Sequence, residues 1–417
     1  MNNTKPSNPQ GGTMRFYEFV GFIAACMALN ALAIDVMLPA LPDITNDFLL
    51  SDQKQAQAVI AVYLVGMGLS QLIYGPVSDR FGRRPVLIGG LALFSLAGLL
   101  SAMTASFAML LAARFVQGIG AGAPRVIAVS LARDIYSGRQ LGRVMSLAMM
   151  IFMAVPIIAP SIGQGILLVA PWRWTFGTLV VGGALVLLWT TLRLKESLPP
   201  DRRRPLSPTA VVDAYRNILS VREAVSYTMA LGLVFGAQMG FIISAQRIFA
   251  DVFDAGRSFS LLFALAASAM AVAAFTNSQL VLRFGMRRLA ITGLSTLVAL
   301  NLAHLVMVWH SSESLWLFMV MQTGSMAMFG FLAANLNTLA IEPLGHIAGT
   351  ASSAIGFFIT VCGALLGFTV GQSFNGTVVP LTLAYVVFGL GALGLVLTAE
   401  RGASNTQLAH QGNPVDL

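Results

Sequence analysis

Apolar runs of about 20 residues recur from one end of the chain to the other, each long enough to cross about 30 Å of hydrocarbon as a helix. Roughly twelve such runs are legible. Inside a bilayer every backbone polar group must be satisfied within the protein, which leaves helices and closed barrels as the only spanning structures. Barrel strands would read as alternating segments of about ten residues, and these runs do not alternate. The chain therefore reads as an all-α polytopic membrane protein. Composition supports this, because 56% of the 417 residues are hydrophobic and only 10% are charged, against about 25% charged in an ordinary soluble protein.

The spans are placed at 16–40, 55–77, 85–104, 107–132, 142–168 and 172–192, then at 224–249, 258–281, 288–309, 314–340, 347–371 and 377–398. Residues 1–15 form an N-terminal tail, 16–192 a first six-helix bundle, 193–223 a linker, 224–398 a second bundle and 399–417 a C-terminal tail. The linker contains ESLPPDRRRPLSP, whose prolines and arginines end the helical pattern. Gly75–Pro85, written GPVSDRFGRRP, reads as a glycine-proline turn carrying one acid and three arginines. So much basic charge between two apolar runs assigns that connection to the cytoplasmic face. With both termini on that face, only Lys54, Arg173, Arg247 and Arg257 fall on the other.

The formal net charge of +8 follows from these loops and gives no sign of nucleic-acid binding. Cys26 and Cys362 lie singly within apolar runs, so neither a disulfide framework nor a metal site is expected. No phosphate-binding loop of the GxxxxGK[ST] type is present, and His304, His310, His346 and His410 are scattered. Neither a nucleotide-driven pump nor a metal-dependent membrane enzyme is indicated. No cofactor is expected. The tail before residue 14 carries one charge, Lys5, and is expected to be disordered, with the first run retained as a helix.

The halves echo each other. Arg80-Phe81-Gly82-Arg83-Arg84 follows the second span and Arg283-Phe284-Gly285-Met286-Arg287 the eighth. Repeated six-helix halves are a common plan of secondary transporters. GPVSDRFGRRP resembles the signature loop of the major facilitator superfamily, ARFVQGIGAG (Ala113 to Gly122) its fourth-helix motif, and PIIAPSIGQG (Pro156 to Gly165) the fifth-helix motif of its antiporters. AIDVMLPALPDI (Ala33 to Ile44), ARDIYS (Ala132 to Ser137) and IAGTASS (Ile347 to Ser353) resemble the bicyclomycin-resistance (Bcr/CflA) branch of drug/proton antiporters. The resemblance implies a major facilitator fold of two pseudo-symmetric six-helix bundles and proton-coupled efflux of small, largely apolar compounds across the bacterial inner membrane. A proton-coupled importer or facilitator on the same fold is the alternative. The expected partners are a small-molecule drug or metabolite, protons and the lipid bilayer, with the protein a monomer.

Asp35 is the acid placed well inside a span, where a charge costs about 2.5–3.5 kcal/mol on insertion scales and marks a functional position. The alternative is a capping aspartate close to Pro39 and Pro42. Arg114 and Arg125 are eleven residues apart, about three helical turns, and so share a face with Gln117, Gly118 and Gly122. Arg114 lies at the depth of Asp35, where it could bridge the first and fourth helices. The resemblance gives Asp35 and Arg114 the proton-coupling role. Arg125 either lines a cavity suited to neutral or anionic cargo or bonds carbonyls of a neighbouring helix.

Gly118 and Gly122 form a small-xxx-small pair that permits close helix approach. Pro156, Pro160, Gly163 and Gly165 are expected to break the regularity of the fifth span. The resemblance makes this segment a seal or hinge. Gly75, Asp79, Arg80, Gly82, Arg83 and Arg84 form the gating loop, with Arg133 or the start of the eleventh span near His346 to Gly349 as partner for Asp79. Gln238, Phe241 and Met149 complete the candidate substrate-binding residues, while His304 reads as a satisfied buried histidine.

Overall fold

The structure, a computed structural model, describes residues 14–203, 215–310 and 313–411; for Arg202, residues 346–348 and residues 401–411 it describes the backbone alone. The expected disordered tail and the middle of the expected linker lie outside the described residues. Two compact units divide the chain, Met1–Ser207 and Pro208–Leu417. Twelve described helical stretches are long and apolar enough to cross a membrane, and the protein is a multi-pass membrane protein.

In the first unit the long helices are α1 (Phe16–Asp35), α2 (Ala58–Phe81), α3 (Arg83–Met103), α4 (Phe107–Ile135), α5 (Gly138–Val169) and α6 (Arg173–Arg193). In the second they are α7 (Arg222–Arg247), α8 (Phe259–Phe284), α9 (Met286–His310), α10 (Leu315–Ile341), α11 (Ala348–Gln372) and α12 (Val379–Gln411). No strand occurs among the described residues. After α1 the chain stays helical through Leu38–Ala40 and a short helix, Leu41–Asp47.

The halves are built alike. In the first unit α4 packs against α2 and α3, α3 against α6, and α1 against α5, α4 and α6. Adding six to each helix number gives the principal pairings of the second unit: α10 with α8 and α9, α9 with α12, and α7 with α11, α10 and α12. Equivalent helices also start alike. Ser106 accepts a hydrogen bond from the Met109 N–H to open α4, and Ser314 accepts one from Leu317 to open α10, each satisfying one of the four orphan donors of a helix start.

One sequence expectation changes here. Gly75-Pro76 is not a turn, because α2 runs through both residues to Phe81 and Pro76 lies within it. The chain reverses at Gly82 alone, whose φ of +101° suits glycine, and α3 begins at the next residue. Gly285, at φ +78°, makes the same single-residue joint between α8 and α9. α5 is continuous from Gly138 to Val169 with Pro156 and Pro160 inside it. Membrane helices tolerate interior proline where neighbours re-satisfy the freed carbonyls. At the C-terminus α12 extends beyond residue 398 into the stretch expected to be a tail.

Candidate functional site

Arg114 is wholly buried on α4 and donates in three directions: from Nε to the Val59 carbonyl at 3.1 Å, from Nη1 to Gln117 Oε1 at 2.7 Å, and from Nη2 to the Ala33 carbonyl at 2.9 Å. Its guanidinium carbon lies 4.3 Å from the centre of the Tyr63 ring and 5.7 Å from that of Phe176, close enough for attraction between cation and ring face. The planar fork serves three acceptors at once, a task a lysine ammonium performs poorly. Ala33 belongs to the last turn of α1, whose carbonyls carry the negative end of the helix dipole, so a cation there is favoured. Arg114 thus joins α1 to α4 and also reaches α2, through carbonyls, an amide and rings. It makes no ion pair with Asp35.

Asp35 is the final residue of α1 and is 4% exposed. Among the described residues its carboxylate has neither a hydrogen bond nor an ion pair. Its backbone surroundings are held from two sides. Two residues earlier is the Ala33 carbonyl that Arg114 grips. One residue later is Val36, whose carbonyl oxygen would lie 2.1 Å from a Cβ added at Gly163 of α5. Gly163 therefore provides backbone-to-backbone contact beside the acid.

The small residues of α4 work similarly. A Cβ at Gly118 would lie 2.1 Å from the Tyr63 carbonyl oxygen, and one at Gly122 would lie 2.0 Å from Ser70 Oγ, so both serve the close approach of α2. Arg125 is partly exposed on α4 and has neither a hydrogen bond nor an ion pair among the described residues. The carbonyl bond that was one of its two expected roles is not among the hydrogen bonds of the described residues.

At the joint between α2 and α3, Asp79 pairs with Arg83 at 2.6 Å, four residues on. The expected partner, Arg133, is exposed and does not pair with Asp79. Arg83 instead reaches its neighbour, with Nε 3.1 Å from Asp134 Oδ2, and Nη1 donates to Ser78 Oγ at 2.5 Å. The side chains near His346 that were the other expected partner lie outside the described residues. Arg84 donates to the Thr191 carbonyl of α6 at 2.8 Å, Arg80 is exposed beside the Phe81 ring, and the Gly75 carbonyl accepts from Ser78 Oγ.

Sequence reasoning missed Glu196. Its carboxylate accepts from the backbone N–H of Arg83 at 2.8 Å and of Arg84 at 3.2 Å, capping α3. An anion suits that end of a helix. A Cβ at Gly82 would lie 2.4 Å from Glu196 Oε2, a second reason for glycine at the joint. Ser197 donates to Asp134 Oδ2 at 2.9 Å, so the start of the expected linker is fastened to the first unit. At Gly285 nothing lies within 4 Å of an added Cβ.

In the second unit Gln238 is 2% exposed, donates to Met326 Sδ and accepts from the Tyr385 hydroxyl at 3.4 Å, while Gln322 donates to the same hydroxyl at 3.1 Å. Phe241 is fully buried and stacked on Phe263 with centroids 5.6 Å apart. Met149, on α5 of the first unit, is 37% exposed. Phe241 is thus packed into its own unit, and its neighbour Phe263 was not foreseen. No cluster of possible metal ligands occurs among the described residues.

The paired six-helix units, the Gly82 and Gly285 joints and the membrane-buried Arg114 define a polytopic transporter. The family model of the Major Facilitator Superfamily matches residues 23–368, and the chain belongs to that superfamily. It is 31% identical over 413 residues to the MFS-type transporter YdgK of Bacillus subtilis, covering 96% of this chain and 99% of that one. It is 30% identical over 344 residues to the multidrug resistance protein MdtL of Escherichia coli, covering 82% and 85%. A bicyclomycin resistance protein homolog of Haemophilus influenzae is 27% identical over 391 residues, covering 92% and 94%. Among solved structures, the human organic anion transporter MFSD10 (TETRAN) shares the fold at TM-score 0.67 and 18% identity, covering 93% of this chain and 99% of that one.

Proposed function

We propose that this chain is a proton-coupled exporter of the Bcr/CflA type, moving small, largely apolar drugs or metabolites out of the bacterial cytoplasm by alternating access. In this reading it resides in the inner membrane with both termini cytoplasmic. Asp35 carries the proposal. It is a buried carboxylate at the negative end of α1 that makes neither a hydrogen bond nor an ion pair among the described residues, so its ionised form is poorly compensated there. Proton gain or loss there changes the net charge of a low-dielectric place by one unit, where charge interactions are strong. Two neighbouring helices can register the change. Arg114 holds the carbonyl two residues before Asp35, and Gly163 abuts the carbonyl one residue after it.

One charge moved through 100 mV is worth about 2.3 kcal/mol, enough to support roughly a forty-fold gradient of cargo. The likeness to MdtL and to the bicyclomycin resistance protein homolog supports drugs as the cargo class. The test is substrate-induced pH change in everted vesicles across a panel of antibiotics, with wild type beside Asp35→Asn. A compound that releases protons from energised wild-type vesicles and not from the variant supports antiport through Asp35. Equal responses would make Asp35 structural, and cargo movement without proton movement would favour a facilitator.

A further inference from the structure

The second unit contains two titratable side chains that the coupling scheme above does not use. His304 Nε2 lies 2.5 Å from Glu313 Oε1, and the side chains are 3% and 5% exposed. His304 is on α9, while Glu313 precedes the first turn of α10. On the far side of the ring, Nδ1 lies 3.4 Å from Thr382 Oγ1 of α12. That hydroxyl donates to the Val378 carbonyl at 3.2 Å. The hydroxyl can give its proton to that carbonyl or to Nδ1, and which it does follows the protonation of the ring.

Glu313 is an acceptor at Nε2, and with the hydroxyl proton on the Val378 carbonyl both ring nitrogens face acceptors. A neutral imidazole has one N–H and would aim a lone pair at an acceptor on the other side; only the imidazolium donates on both. Glu313 provides the matching negative charge, and its own Oε2 is buried with no hydrogen-bond partner, so the carboxylate depends on His304. Removing one proton would leave a net negative charge in a buried place and a ring nitrogen facing an oxygen.

The elements around the pair bring few other charges among the described residues. α10 carries no charged residue, and it presents the Phe318 ring 6.2 Å from His304. On α12 the nearest titratable group is Tyr385, engaged with Gln322 and Gln238, and the first charge is Glu400 near its other end. At the end of α7, Arg247 pairs with Asp251. Asp254 and Arg257 follow in the turn before α8, and His310 ends α9. Among the described residues, Tyr385, Asp254, Arg257 and His310 neither bond nor pair with His304 or Glu313.

We propose that His304 and Glu313 form a second proton-binding site, distinct from Asp35, whose bound proton ties α9, the start of α10 and α12 together. The assignment does not depend on the cargo or on the antiport reading.

The test is nitrogen NMR of protein in lipid nanodiscs with histidine rings labelled with nitrogen-15, from pH 5 to pH 9. Replacing His310, His346 and His410 together by Asn leaves His304 as the only labelled ring and does not touch the pair. The expected spectrum at pH 7 shows both ring nitrogens protonated, and this signature is lost at the same pH in Glu313→Gln. A ring with a single N–H at pH 7 would overturn the proposal, as would ring signals unchanged by Glu313→Gln. If the Gln variant does not fold, the spectrum of the otherwise native pair still decides the protonation state.

Discussion

Glu196 caps the backbone N–H groups of Arg83 and Arg84 from 113 and 112 residues further along the chain, at 2.8 and 3.2 Å. A helix cap of this kind is worth about 1 kcal/mol. Glu196→Ala is expected to lower the unfolding temperature of the purified protein, and Glu196→Gln, which keeps an acceptor but loses the charge, is expected to lie between. Thermal melts in nanodiscs check this, and an Ala variant that melts with wild type would remove the cap from consideration.

Arg114→Lys is expected to be damaging although charge is conserved. The ammonium cannot reach acceptors on α1, α2 and α4 together, which leaves at least one buried acceptor unmet at a cost of about 1–3 kcal/mol. Transport in vesicles and thermal melts should fall together. A variant with wild-type stability and transport would show that the three-way fork is dispensable.

Asp35→Asn is expected to fold with a melting temperature close to wild type, because the carboxylate makes no bond for the amide to lose. Loss of proton coupling with unchanged stability is the signature of a functional acid. A large fall in melting temperature would instead mark Asp35 as structural.

The glycines of α4 and α5 separate close packing from mere flexibility. Gly118→Ala places a methyl 2.1 Å from the Tyr63 carbonyl oxygen, and Gly163→Ala places one 2.1 Å from that of Val36. Both are expected to reduce folded yield and transport sharply, because the obstructing atoms are backbone. Gly165→Ala on the same α5 helix meets nothing within 4 Å and is expected to be neutral or slightly stabilising. Expression and transport of the three variants side by side provide the check.

The twelve long helices were legible because run length and apolarity alone determine what can cross a bilayer. The Gly75-Pro76 misreading arose where that criterion is silent: arginines at Arg80 and Arg83 looked like loop charge, yet they sit at helix ends beside a one-residue joint. On α4, spacing placed Arg114, Gly118 and Gly122 on one working face. It could not reveal the partner of Arg114, because backbone carbonyls leave no residue-type signal in a sequence. Glu196 was illegible for a related reason, since its partners are two peptide groups on a distant helix. His304 was read as a satisfied buried histidine; its contact with Glu313 had no sequence signal, because only the fold brings that acid to the ring.

The segment that opens the linker has a practical meaning for dividing the gene. Cutting at residue 193, where apolarity ends, would strip the first half of Glu196 and Ser197 and leave the start of α3 without its carboxylate. A first fragment carried to residue 203 retains both, so the useful boundary for separate expression of the halves lies beyond the point where hydropathy places it.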